Sequence, residues 1–397
     1  MVLPPMRQLR ERGWDVQCLG LTLAGPRLQD AGFPAMTYRD LLPANAESTL
    51  RLGREILAEN HNPASGIPEE ESLAYLGLNL EDLFEQLGEE AARARYAQYR
   101  RHAFLPMNTM RRLIERIQPD VVMATNSPRS ERAALVAAHN QGVPTAAIDD
   151  FFAERPAFFP PFVPDLDADL LFAASAVGRD NFLSQEPPVH GRVLFSGNPS
   201  FDRLTAVRAM NREEARRRLG VDGQLAVVMT QNHFDMERID ALLQSVRDRI
   251  PGLTFAIRLH PSVRGKTTVP PWVLDVTPTP LDDVLIAADV LLTVHSTTML
   301  EALLVGLPVV QLGRPLAVTD YTIERIEEAP LWEIGLSTLA ESEPELIEAI
   351  SNAIERDLRE EVMRRAEAMF GLPGTATELI VAALEQVVDE RQRRVTP

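Results

Sequence analysis

The sequence holds a single cysteine, Cys18, in 397 residues. This excludes a disulfide framework and makes a reducing cytoplasm the expected setting. Cys18 stands in an apolar stretch and is expected in the core. No apolar run approaches the ~18 residues of a transmembrane span. The first residues also lack the basic-then-apolar pattern of a signal peptide. Positive charge is in deficit, with 40 Lys and Arg against 57 Asp and Glu and a formal net charge of −17. A nucleic-acid backbone wants a basic face, so nucleic acid is not an expected partner. Glycine is outnumbered by proline, 21 to 30, as in a chain with many strand-to-helix connections. There is no internal repeat. What remains is ordinary for a globular chain, 45% hydrophobic and 24% charged, and long enough for two domains with separate cores.

The most informative stretch runs from Asp289 to Gly313. An apolar strand, Val290 to Val294, breaks at the polar turn His295-Ser296-Thr297-Thr298. A helix follows with Met299, Leu300, Leu303 and Leu304 on its apolar side. Gly306-Leu307-Pro308 ends it before a second apolar strand, Val309 to Leu312. Two buried strands joined by one helix make a βαβ unit of a parallel sheet, whose ligands collect beyond the carboxyl ends of the strands. The turn offers backbone N–H groups and hydroxyls to a phosphate, and Glu301, one turn on, can accept from a sugar hydroxyl. The alternative is a plain helix cap. Two further strands weigh against it: Leu253 to Leu259 ends in His260-Pro261, and Leu225 to Thr230 ends in Gln231-Asn232-His233. Three strands thus deliver polar ends to one edge.

His260-Pro261, then Ser296-Thr297, then Glu301-Ala302 with Gly306-Leu307-Pro308-Val309-Val310, resemble the donor-side domain of GT-B glycosyltransferases. The nearest branch holds UDP-N-acetylglucosamine 2-epimerases, CDP-glycerol glycerophosphotransferases and capsule-polysaccharide transferases. Gly197-Asn198-Pro199-Ser200-Phe201-Asp202 is similar to the link that introduces this domain there. The resemblance spans roughly residues 110 to 380. It implies an α/β chain with two Rossmann-like domains: residues 1–186 on the acceptor side, 187–374 on the donor side, and a terminal helix, 375–397, that crosses back to the first domain.

In such folds the opening helix follows a first strand and a glycine-rich loop. Here Leu3 to Arg12 already reads as that helix, with Gly13 as its stop, so the N-terminal sheet is expected to lack its first strand. Residues 45–118 read as a helical insertion. Its acidic part, Glu69 to Glu90, precedes seven arginines between Arg93 and Arg116. These offer a face for an anionic acceptor or membrane, or else pair with the neighbouring acids; their adjacency and similar number favour pairing. Strand 119–124 then ends in Thr125-Asn126-Ser127, and strand Thr145 to Ile148 ends in Asp149-Asp150. Asn126, Ser127 and Arg129 are expected on the acceptor side. Related transferases carry a histidine as base in the corresponding loop; here Asp149 or Asp150 is the titratable replacement. The aromatic loop Phe151 to Pro164 is an acceptor platform or an interface, and Pro187-Pro188 marks the interdomain link.

The resemblance implies that Ser296, Thr297 and Thr298 hold a diphosphate, that His260 contacts phosphate or the leaving group, and that His233 lies across the pocket. Glu301 matches a ribose-binding position, Pro278 to Leu281 would hold the base, and Asp320-Tyr321 would reach the sugar. No bound cofactor or metal is expected; the co-substrate is a nucleotide sugar, a UDP conjugate first and a CDP or CMP conjugate second. The acceptor is a glycan, a lipid-linked or another hydroxyl, with peripheral contact at the inner membrane face as an option. Two rivals stand beside a transferase. One is a non-hydrolysing sugar-nucleotide 2-epimerase, echoed by His260-Pro261-Ser262-Val263-Arg264 but with Arg314-Pro315-Leu316-Ala317 where its arginine–acid motif is expected. The other is a non-catalytic binding subunit whose sheet a partner completes.

Overall fold

Short apolar strands alternating with amphipathic helices give two parallel sheets and a separate strand pair. The computed structural model describes every residue except 22, 63–64, 150–159, 232–233, 314–315, 317–330, 357 and 396–397. The chain divides into one unit of Met1–Ser200 with Thr375–Pro397, and a second of Phe201–Gly374.

In the first unit, β1 (Cys18–Leu19) and β2 (Ala35–Met36) form a parallel pair of their own. Strands β3 (Val122–Thr125), β4 (Thr145–Ile148), β5 (Leu170–Ala173) and β6 (Arg192–Phe195) form a parallel sheet in that order. Every residue of β4 and β5 is buried, as expected of parallel strands covered on both faces. One face meets the last helix, Ala376–Val395, whose Ile380, Val381 and Leu384 share a core with Leu9, Ile148 and Phe172. Arg12 ties the opening helix to this one through Glu378 at 2.6 Å and Glu385 at 2.7 Å. The other face packs Leu135 and Phe182 against Ala124, Ala147 and Leu171. No described strand joins β1 to β3, and Val122 and Met123 of β3 are only half-buried. The described parallel strands of the first unit are thus in two separate pieces. Cys18 is buried, and burial pushes its thiol up.

The helical insertion is built on a close crossing of Glu47–Asn60 and Glu69–Leu87. A Cβ on Gly53 would stand 2.4 Å from the Leu73 carbonyl oxygen, and one on Gly77 2.2 Å from that of Thr49. Only glycine permits this approach. Much of the basic stretch is spent on ion pairs. Arg93 pairs with Glu55 at 3.0 Å and Glu89 at 2.8 Å, Arg100 with Glu59 at 2.5 Å, Arg111 with Glu115 at 2.7 Å and Arg112 with Glu85 at 3.5 Å. Arg95 lies over the Phe162 ring. The partners come from helix Glu47–Asn60 as well as from the acidic stretch beside the arginines.

In the second unit, β7 (Leu225–Met229), β8 (Thr254–Arg258), β9 (Leu274–Asp275), β10 (Val290–Thr293), β11 (Val309–Leu312) and β12 (Thr338–Ala340) form one parallel sheet. Its order is β12-β11-β10-β7-β8-β9. The chain builds outward from β7 to β9, then returns to the other side of β7 with β10. The carboxyl ends of β7 and β10 therefore flank a topological switch point, where open α/β sheets bind ligands. The Leu307 N–H reaches the Ala302 carbonyl at 2.8 Å and the Gly306 N–H that of Leu303 at 3.0 Å. With Gly306 at φ +80°, this closes helix Thr298–Leu304 as a Schellman motif and sends the chain into β11.

The link also differs in place from the expected boundary at residue 187. Residues Arg192 to Phe195 pair in register with Leu170 to Ala173, so β6 lies with the first unit. Pro187-Pro188 interrupts only the connection between helix Ala176–Leu183 and β6.

Candidate functional site

Hydrogen bonds join the polar strand ends of the second unit. The side-chain amide of Gln231, just past β7, donates to Thr293 Oγ1 at 2.9 Å and to the His295 carbonyl at 2.8 Å. Thr293 Oγ1 in turn donates to the Met229 carbonyl at 3.0 Å. The His260 N–H donates to Thr230 Oγ1 at 2.9 Å, which fixes the end of β8 to that of β7. Gln231, His260 and the His295–Thr298 turn, all expected at this edge, are thereby brought to it together.

The chemistry of His260 follows from one contact. Its ring Nδ1 accepts the Ser262 N–H at 3.3 Å and lies 2.7 Å from Ser262 Oγ. A backbone N–H can only donate, so the neutral ring carries its proton on Nε2. The exposed imidazole thus presents a donor, suited to a phosphate oxygen. Arg264 and Lys266, both exposed, add positive charge beside it, and Lys266 is the one lysine of the sequence. Arg258 runs behind, donating to the Val276 carbonyl at 2.9 Å and the Thr279 carbonyl at 2.5 Å. Burial and the charge of Arg264 hold its guanidinium below the ordinary arginine value. This arginine shapes the Val276–Thr279 turn next to the segment expected to hold a nucleotide base.

In the turn itself, Ser296 Oγ accepts the Thr298 N–H at 3.2 Å, so Ser296 already acts as a local cap. Thr297 is exposed, and Thr298 and Ser296 are half-buried. Glu301 is engaged as well: Arg203 reaches it at 2.9 Å and pairs with Asp282 through its other terminal nitrogen. Glu301 Oε2 is buried with no hydrogen-bond partner among the described residues. Burial pushes its carboxyl above the usual range, Arg203 pulls the other way, and Asp282 adds to the rise. Arg203 follows directly on the Gly197–Asp202 link and was not anticipated; only the folded chain brings it to Glu301. Three of the four arginines of helix Arg212–Leu219 are likewise occupied, Arg212 and Arg216 by Asp289 and Arg218 by Asp283.

In the first unit, Asp149 follows β4 and is buried, its N–H bonded to the Phe172 carbonyl at 2.9 Å. The side-chain amide of Asn126, past the end of β3, donates to Asp149 Oδ1 at 3.2 Å. Two expected residues from different strands are thus in contact. Ser127 and Arg129 are half-buried in the same loop, and Arg129 leads into helix Ser130–Asn140. Behind them, Tyr38 Oη lies 2.6 Å from Ser130 Oγ. Glu131 accepts the Thr125 N–H at 2.7 Å and fixes the end of β3. Asp150, His233, Asp320 and Tyr321 lie outside the described residues, as does the aromatic loop through residue 159.

A cavity of about 640 Å³ lined by Ile114, Gln118, Pro119, Gln141, Val143 and Arg391 sits beside the starts of β3 and β4. It is therefore at the amino ends of these strands, the opposite ends from Asn126 and Asp149. Also at the amino ends is the one grouping among the described residues suited to a metal, His139 with Asp169 and His190. Its members come from three separate segments, so sequence spacing does not reveal it.

No protein-family model matches the sequence, and no curated protein matches it. Solved structures do match. The UDP-GlcNAc 2-epimerase of Neisseria meningitidis, solved with UDP-GlcNAc bound, matches with a TM-score of 0.55 at 16% identity, over 97% of this chain and 96% of that one. The calicheamicin glycosyltransferase matches with a TM-score of 0.56 at 15% identity, over 100% and 95%. MurG of Acinetobacter baumannii matches with a TM-score of 0.54 at 12% identity, over 97% and 95%. At such identities the likeness is one of fold. The chain has the GT-B fold, the pair of Rossmann-like domains common to these glycosyltransferases and epimerases.

Proposed function

We propose that the protein is a nucleotide-sugar-dependent glycosyltransferase, with a UDP conjugate as donor and a glycan, lipid-linked or other hydroxyl as acceptor. The observation that carries this is the hydrogen-bonded set of Gln231, His260 and the His295–Thr298 turn at the switch point of the second sheet. In this reading the diphosphate lies on the Ser296, Thr297 and Thr298 turn, with His260 Nε2–H donating to it and His233 across from it. Glu301 accepts from a donor hydroxyl as Arg203 yields one of its contacts. A carboxylate, Asp149 or Asp150, takes the proton of the acceptor hydroxyl, whose oxygen attacks the anomeric carbon as the bond to the diphosphate breaks. Asn126 orients Asp149, and Ser127 and Arg129 contact the acceptor. The departing diphosphate gains negative charge, which fixed donors and the cations Arg264 and Lys266 stabilise. Fold-level analogy supports the donor class: the Neisseria epimerase binds UDP-GlcNAc. No described helix is long and apolar enough to cross a membrane, so a lipid-linked acceptor would be met from the membrane surface.

The test is a thermal-shift series against UDP, CDP, GDP, TDP and their sugar conjugates. A ligand at a hundred times its Kd stabilises by about 2.7 kcal/mol. A shift confined to one base supports the donor site and names that base; no shift with any overturns it. Incubation with UDP-GlcNAc alone separates transferase from epimerase, since inversion at the sugar's second carbon without an acceptor would identify an epimerase.

A further inference from the structure

We propose that His139, Asp169 and His190 form a zinc site at the amino-terminal edge of the first unit's sheet, with Asp167 as the residue that orients His190. The site is independent of the nucleotide-sugar reading, because it lies at the opposite ends of the strands from Asn126 and Asp149.

Three segments meet there. His139 is in the last turn of helix Ser130–Asn140, where the helix dipole favours a cation. Asp169 immediately precedes β5 and His190 stands two residues before β6. One nitrogen from each histidine and one oxygen from Asp169 lie within 4.8 Å of one another. Zinc holds such ligands at about 2.0–2.2 Å in a tetrahedron, which sets neighbouring donor atoms roughly 3.4 Å apart. Rotation of the two exposed imidazoles, whose rings are 4.8 Å apart between centroids, closes the remaining distance.

The groups are prepared for a metal in their hydrogen bonding. His190 Nδ1 donates to Asp167 Oδ2 at 2.6 Å. In the neutral ring this leaves the lone pair on Nε2, which lies 3.6 Å from Asp169 Oδ1. A carboxylate behind a histidine is the usual outer-shell partner of a zinc ligand. Asp169 is held in turn: its Oδ2 accepts from the Thr145 N–H and hydroxyl, both at 2.8 Å, which leaves Oδ1 toward the histidines. The backbone is equally constrained. A Cβ at Gly191 would stand 1.7 Å from the Ala168 carbonyl oxygen, so glycine is required for the approach that sets His190 beside Asp169. Two imidazoles and one carboxylate suit zinc, and three protein ligands leave one position for water. The bound ion would clamp the end of one helix to the starts of two strands.

Zinc affinity of the untagged full chain, measured by competition with a chromophoric chelator, tests this. The expected result is one zinc per chain, affinity at least tenfold weaker in His139→Ala, and a loss of about 10–100-fold in Asp167→Asn. Cobalt in place of zinc should give the intense visible bands of a tetrahedral site in the wild-type chain and lose them in His139→Ala. His139 is exposed, so His139→Ala can lose metal without losing the fold; circular dichroism checks this. Equal zinc stoichiometry and affinity in the wild type and in the His139→Ala, His190→Ala double variant would overturn the proposal, as would the absence of any one-to-one binding.

Discussion

Arg203 stands 2.9 Å from Glu301, and its other terminal nitrogen reaches Asp282. One arginine thus holds the start of helix Thr298–Leu304 and the start of helix Leu281–Ala287 to the link that opens the second unit. The side chain of Glu301 is 17% exposed and that of Arg203 40%. Removing the arginine leaves a half-buried carboxylate short of its cation. The expected cost of Arg203→Ala is about 1–2 kcal/mol, less than for a fully buried pair because solvent screens the exposed end. Urea unfolding measures it, and an unchanged midpoint would show that the pair contributes nothing.

Glu301 has a further consequence for pH. Burial raises its folded-state pKa more than Arg203 lowers it. A group with a raised pKa contributes stability that is fully present below the unfolded value and is lost as pH rises through the folded one. Glu301→Gln is neutral throughout and loses nothing. The melting temperature of this variant relative to wild type should therefore climb from pH 4 to pH 8. The opposite slope would mean that attraction by Arg203 exceeds the burial penalty.

At the proposed donor site, His260→Ala combined with Ser296→Ala removes the Nε2 donor and the cap of the phosphate turn. Both residues lie at a strand end rather than in the core. Nucleotide binding should vanish in calorimetry while the circular dichroism spectrum stays unchanged. Unaltered affinity would refute the pocket.

Asp149→Asn keeps the size of the side chain beside Asn126 but removes the proposed base. General-base catalysis supplies about 10²–10⁴-fold, so transfer should fall by that order while the thermal shift with nucleotide is retained. Full activity would move the role to Asp150.

The insertion offers a test of packing alone. Gly77→Ala puts a methyl group 2.2 Å from the Thr49 carbonyl, which forces the two helices apart. A loss of about 1–3 kcal/mol is expected, read as a lower denaturant midpoint. No loss would mean that the crossing accommodates the methyl by a small shift.

The fold was largely legible in the sequence because its signals are local. Val290 to Val294 and Val309 to Leu312 read as strands from their unbroken apolar runs, and Gly306 as the stop between them. The polar tails His260 and Ser296 could be assigned to one edge once the strands were taken as parallel, since parallel strands align their carboxyl ends. The acid-rich neighbourhood of the insertion's arginines likewise foretold their pairing, though Glu55 and Glu59 enter only through the helix crossing.

Other features depended on which segments meet. The apolar pattern fixes that Cys18–Leu19 and Val122–Thr125 are strands, but not that they end in separate sheets. Glu301 reads as a free acceptor until the link folds back and Arg203 covers it. The pairing of Asn126 with Asp149, and the meeting of His139, Asp169 and His190, follow from the order β3-β4-β5-β6, which sets the ends of separate segments side by side. Periodicity along the chain determines which residues are buried, because burial of apolar side chains acts within each short element. Which polar groups then face one another is decided by strand order and helix crossing, since hydrogen bonds and charge contacts act over only a few ångströms in space.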